Sequence, residues 1–154
     1  TLVKLAAIPN VIGVKEASGN IQQMCEVCRA VPAEFIVLSG DDAITLPLMA
    51  VGGLGVISVA SNEVPREMSL MVEAAERGDF AAARKIHASL MPLMLINFVE
   101  SNPIPVKAAM AAMGLLEETY RLPMVSPRPE SRARIQAVLS DLRLLSAASA
   151  RVSA

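Results

Sequence analysis

The stretch Val11-Ile12-Gly13-Val14-Lys15-Glu16-Ala17-Ser18-Gly19 decides the fold of the chain around it. An apolar, β-branched run stops at a lysine, and a glycine-bounded polar turn follows. That pattern predicts a buried strand whose last residue is Lys15. An ammonium is costly to bury, so the position calls for a reason. Two readings of the residue type stay open. Lys15 is a nucleophilic amine for a carbonyl substrate, or it is one half of an ion pair with Glu16 or Asp41.

Downstream, the same pattern repeats twice. Ser18 or Asn20 can cap a helix over about 21–30, which Val31-Pro32 stops. Phe35-Ile36-Val37-Leu38 is a second apolar run, closed by Ser39-Gly40-Asp41-Asp42. Either aspartate can cap a helix over about 43–51. The cluster Gly52, Gly53, Gly55 then leads to a third run, Val56-Ile57-Ser58-Val59-Ala60, ending at Ser61-Asn62. Strand and helix alternate, and each strand is apolar throughout. This predicts an α/β fold of parallel βαβ units with both sheet faces covered.

From Val64 on, only helices are expected. Pro65 opens one that ends at Gly78, and Asp79 caps a long one from Phe80 to about Val99 with a kink at Pro92. Pro105 starts a third, terminated by Gly114. In the last, Ile135, Val138, Leu139 and Leu142 share a face. The small, polar tail Ser146 to Ala154 is expected to fray. The division is residues 1–78 as three βα units and residues 79–154 as an all-helical domain. Three parallel strands leave both edges of a sheet open, and Thr1 to Ala7 reads as the last turns of a helix with no start signal. Both features point to the back half of something larger.

Composition excludes several classes. A formal net charge of -1 with 19% charged residues gives no field for nucleic acid or an acidic membrane surface. Residues 43–62 carry no charge and are long enough to span a bilayer, but Pro47 and the three glycines break the run, so no membrane span is expected. Cys25 and Cys28 are spaced for a redox pair or half a zinc site. A zinc site needs two further ligands, and His87 is the only histidine. Two small residues on one helical face is the favoured reading. No metal is expected, and the cytoplasm is the default compartment.

Chemistry in parallel α/β folds gathers at the carboxyl ends of strands, here Lys15, Ser39 to Asp42, and Ser61-Asn62. A free lysine near pKa 10.4 is neutral only about once in a few thousand at pH 7. Desolvation would enrich the amine, which could then condense with a ketone to a Schiff base. Asp41-Asp42 would suit a divalent cation or a sugar hydroxyl, but a cap plus a solvated first-turn charge fits the following helix better. Ser39 lacks the context of a hydrolase nucleophile, and His87 reads as a helix-surface residue.

Gly13-Val14-Lys15-Glu16-Ala17-Ser18-Gly19, Leu38-Ser39-Gly40-Asp41-Asp42, Gly53 to Val59, Asn102-Pro103-Ile104-Pro105-Val106-Lys107 and Arg121-Leu122-Pro123-Met124 together resemble the dihydrodipicolinate (4-hydroxy-tetrahydrodipicolinate) synthase family. The match runs in order over nearly the whole chain. The resemblance implies the last three βα units of a TIM (β/α)8 barrel followed by a C-terminal helical domain, in a homotetramer. It implies condensation of pyruvate with L-aspartate-4-semialdehyde in lysine and diaminopimelate biosynthesis, with no metal or organic cofactor. Lys15 matches the Schiff-base lysine, and Gly40 and Ile57 match positions lining the pyruvate pocket.

The family's threonine–tyrosine proton relay, its semialdehyde-binding arginine and most of its lysine feedback site lie in the other barrel half. Tyr120 matches no relay position. Glu100-Ser101 stands where a proline often precedes Asn102, and Ala60 where a threonine is common. The resemblance thus implies a chain with the nucleophile but without the relay, inactive without an N-terminal barrel half. N-acetylneuraminate lyase and keto-deoxy-sugar acid aldolases share the lysine logic. A non-catalytic half-barrel assembly module is the reading from a different class.

Overall fold

A computed structural model describes residues 1–145; the tail expected to fray lies outside them. In chain order the elements are α1 (Leu2–Ala6), β1 (Gly13–Glu16), α2 (Ile21–Ala30), β2 (Ile36–Ser39), a 3-10 turn (Asp42–Ile44), α3 (Thr45–Ala50), β3 (Gly55–Val56), a second 3-10 turn (Ala60–Asn62), α4 (Pro65–Glu76), α5 (Phe80–Ile96), α6 (Ile104–Ala112) and α7 (Pro129–Asp141). The described residues form two compact units, Thr1–Ser58 with Arg66–Ser89, and Val59–Pro65 with residues 90–145.

The first unit holds a parallel three-stranded sheet in the order β1-β2-β3. Lys15 pairs with Leu38, and Leu38 with Gly55, so the three strands run in register toward one carboxyl edge. Side chains alternate across a strand. Val14 and Val37 point toward the helices, where Met24, Val27, Phe35 and Leu48 close a core. Gly13, Lys15, Ile36 and Leu38 point the other way.

Here the structure corrects the sequence reading. The prediction of a sheet covered on both faces fails for the face bearing Lys15, where Ile12 is 69% and Ile57 48% exposed. An apolar run does not say which face a helix will cover; among the described residues α2 and α3 serve only the side of Val14 and Val37. β1 also ends one residue later than expected, and its buried terminal residue is Glu16, while Lys15 is exposed. β3 is only two residues long, where a strand through Ala60 was expected. The last ladder bond is Ile57 N–H to the Ser39 carbonyl at 2.8 Å. β2 stops at Ser39, so nothing remains for the chain beyond Ile57 to pair with.

The helix signals read well. Asn20, not Ser18, caps α2, accepting from Gln23 N at 3.1 Å. Asp41 accepts from Ala43 N at 2.8 Å, and Asp79 from Ala82 N at 2.9 Å. Gly78 ends α4 with φ +79°, which a side chain would resist, and Asp79 N returns to the Ala74 carbonyl at 2.8 Å. α5 runs through Pro92 and stops at Ile96 rather than Val99. His87 is not a free surface residue, because its Nε2 lies 2.8 Å from the Ala43 carbonyl. In the second unit α6 packs on α7, with Ala109, Ile135 and Leu139 at the buried centre. Among the described residues no helix is long and apolar enough to cross a membrane.

Candidate functional site

The face turned away from the helices is concave. A hollow of about 420 Å³ runs along it, with Lys15, Ile36, Leu38 and Ile57 among its walls. Of the three residues expected at the site, Lys15 and Ile57 wall it, and Gly40 does not but stands against the Lys15 stem. Lys15 comes from β1, Ile57 from the residue after β3, and Gly40 from the residue after β2.

Gly40 is what lets the lysine lie there. Its N–H donates to the Glu16 carbonyl at 2.6 Å, which draws the two strand ends together. A β-carbon added at Gly40 would stand 2.6 Å from the Ala17 β-carbon and 3.0 Å from the Lys15 Cε. The space a side chain would need is the space the lysine stem occupies.

Lys15 makes no ion pair with Glu16, Asp41 or any other carboxylate among the described residues. The ion-pair reading of this position therefore fails, and Glu16 shows why. It is the next residue along the pleat, so it points to the opposite face and is 5% exposed there. Its Oε1 accepts from Ser18 N at 3.1 Å and from the Gln23 side-chain amide at 3.3 Å. Glu16 fastens the turn after β1 to the first turn of α2. The chain thus leaves its strand as a rigid corner with the lysine on the outer side.

Asp41 and Asp42 behave differently from each other. Asp41 is the cap, with the Ser39 hydroxyl donating to its carbonyl at 2.7 Å. Asp42, expected to be a solvated charge, is 1% exposed. The 3-10 turn it opens rotates it inward, where a regular helical first turn would have held it out. Of the glycine cluster, Gly52 and Gly53 precede β3, but Gly55 is its first residue and stands level with Lys15 across the ladder, so the cluster does not lie wholly at the opposite end as expected. Cys25 is exposed and Cys28 partly buried; burial, more than the neighbouring thiol, pushes the Cys28 thiol above its ordinary range. Among the described residues no group of three or more His, Cys, Asp or Glu side chains is placed to hold a metal.

Sequence reasoning missed a polar cluster in the second unit. Arg132 grips Glu118 with two nitrogens at 2.5 and 2.7 Å, and the Tyr120 hydroxyl donates to the same carboxylate at 3.0 Å. The Arg132 bonds hold the Glu118 carboxyl below its usual range. Burial first, then the Glu118 carboxylate, raises the Tyr120 phenol to about 12. A signal was present in sequence, since Glu118, Tyr120 and Arg132 are the residue types of such a network. Their spacing across a loop and a helix gave no reason to join them.

The comparisons with known proteins agree with one another. The model of the "Dihydrodipicolinate synthetase family" matches residues 1–142. A 4-hydroxy-tetrahydrodipicolinate synthase of Koribacter versatilis is 56% identical over 145 residues, covering 94% of this chain and 48% of that protein. That of Chloroherpeton thalassium is 48% identical, covering 96% of this chain and 49% of that protein. The crystal structure of dihydrodipicolinate synthase from Aquifex aeolicus superposes with a TM-score of 0.91 at 41% identity, covering 95% of this chain and 50% of that one. The Cyanidioschyzon merolae enzyme, solved with lysine bound, does so with a TM-score of 0.87 at 39% identity, covering 93% of this chain and 49% of that one. The chain spans about half the length of the relatives it matches, and the matches run along nearly all of it: it belongs to the dihydrodipicolinate synthase family.

Proposed function

We propose that the chain carries the nucleophile half of a 4-hydroxy-tetrahydrodipicolinate synthase. Lys15 adds to the ketone of pyruvate and loses water to form a Schiff base. The resulting enamine attacks L-aspartate-4-semialdehyde, in lysine and diaminopimelate biosynthesis. Gly40 and Ile57 line the pyruvate pocket. The supporting observation is the placement of Lys15: an amine with no ion pair among the described residues, on an apolar concave face, its stem lying in the space that Gly40 vacates.

In this reading the three strands are the last three of a (β/α)8 barrel, with residues 1–78 belonging to it and 79–154 forming a helical C-terminal domain. The family membership and the parallel register β1-β2-β3 support that assignment. A further barrel half would wall the concave face, desolvate Lys15 and supply the proton relay, so the chain alone turns over little substrate. The working enzyme is a homo-oligomer of the cytoplasm, of the tetrameric kind.

The test is trapping. Full-length protein is incubated with pyruvate, reduced with borohydride, digested and mapped by mass. An adduct on Lys15 is the expected result. Modification at another residue, or none, overturns the assignment.

A further inference from the structure

The second unit contains a cleft of about 500 Å³ lined by Pro103, Lys107, Thr119, Tyr120, Arg121 and Met124. Two of these six residues are cations and none is an acid. Lys107 is held in place: its ammonium donates to the Thr119 carbonyl and sits 5.3 Å from the centre of the Tyr120 ring, within range of a cation–π attraction. An ammonium has three donors, and the carbonyl takes one.

The nearby carboxylate does not cancel this charge. Glu118 is engaged by both Arg132 nitrogens and by the Tyr120 hydroxyl. Tyr120 itself stays neutral, its phenol raised to about 12. Arg121 is exposed and forms no ion pair among the described residues. Its carbonyl accepts from Met124 N at 3.0 Å, a turn that brings the methionine round to the same cleft. The lining is therefore a net-positive pair of side chains set against an apolar wall.

We propose that this cleft binds a small organic oxyanion, its anionic end held between Lys107 and Arg121 and its apolar body against Pro103, Met124 and the Tyr120 ring. The volume is that of a small-molecule site and exceeds what a bare inorganic anion fills. Two cations suit a carboxylate or a phosphate monoester, and the apolar wall calls for a short hydrocarbon body on either. The site shares no residue with the Lys15 face and does not depend on the reading of that face.

Binding to the full-length protein is followed by calorimetry while n-butyl phosphate, pentanoate, inorganic phosphate or n-butanol is added. A saturable change is expected with butyl phosphate or pentanoate, the tighter of the two naming the head group. Inorganic phosphate should bind about tenfold more weakly or not at all. Arg121→Ala and Lys107→Met should each weaken binding by about tenfold, while Lys85→Ala, an exposed lysine elsewhere, should leave it unchanged. Arg121 is exposed, so its variant tests the proposal even if Lys107→Met does not fold. Butanol binding as well as the anions, affinity indifferent to Arg121→Ala, or no saturable change with any probe would each overturn the proposal.

Discussion

The chain sets two lysines in opposite circumstances. Lys107 is held by a backbone carbonyl and an aromatic ring, beside a carboxylate already engaged by an arginine. Among the described residues Lys15 has no such partner; it emerges from the end of a strand onto an apolar hollow, beside a glycine that makes room for it. A lysine kept for its charge can be steadied by a carbonyl and a ring and still have donors to spare. A protein that holds a lysine for covalent chemistry leaves the amine without a partner and makes the backbone around it rigid. The two regions teach that the useful signal is not the cation but what has been withheld from it.

Removing the amine separates the two most sharply. Lys15→Arg keeps the charge and much of the stem but not a nucleophile of usable pKa, so pyruvate trapping in the full-length protein should vanish, while Lys107→Met should leave an adduct on Lys15. Loss of trapping in both would erase the distinction. Gly40→Ala tests the vacated space. Its methyl would press on Ala17 and on the Lys15 stem, and a displacement on the scale of an ångström should slow adduct formation by about 10- to 100-fold. An unchanged trapping rate would mean that the stem can lie elsewhere without cost.

The third prediction concerns the polar cluster. Arg132 and Glu118 are partly solvated, at 36% and 24% side-chain exposure, so Arg132→Ala should cost only about 1 kcal/mol in denaturant unfolding. Because folding lowers the Glu118 pKa, that contribution is present above the unfolded carboxylate range, near pH 4.3, and fades as pH falls through the lower folded value. The difference between wild type and variant should therefore shrink in acid. A constant difference from pH 7 to below 3 would show that packing, not the ion pair, carries it.

The smallest effect is spectroscopic. Followed by NMR of labelled tyrosine, Tyr120 should ionise at about 12. Glu118→Gln removes the carboxylate but not the burial that leads the shift, so the midpoint should fall only part of the way toward 10. A full return would mean that burial contributes nothing.

The order of elements was legible because its signals are local. Apolar runs, Asn20, Asp41 and Asp79 as caps, and Gly78 as a terminator each act within a few residues of themselves. Lys15 was legible as a candidate for the same reason, and Gly40 and Ile57 came from resemblance rather than from their own chemistry. What was not legible is nonlocal. Whether Lys15 or Glu16 faces the core depends on which side α2 and α3 take, and the length of β3 depends on where β2 stops. The burial of Asp42 follows from a 3-10 turn in place of a helical one, and the His87 bond joins residues 44 positions apart. Tyr120 was set aside because it matched no relay position. Its partner Arg132 stands on a helix across a loop, and no pattern in the sequence joins the two.

The sheet has a consequence for handling the chain in solution. Among the described residues β1 and β3 each pair on one side only, so their outer N–H and C=O groups form two short templates. The strands are four residues or fewer, which limits how far such pairing can run. Expressed without a covering partner, the chain should nonetheless lose monomer with rising concentration. Its losses should depend on dilution more than on temperature, and anything that lays a strand along β1 should act on it as a chaperone.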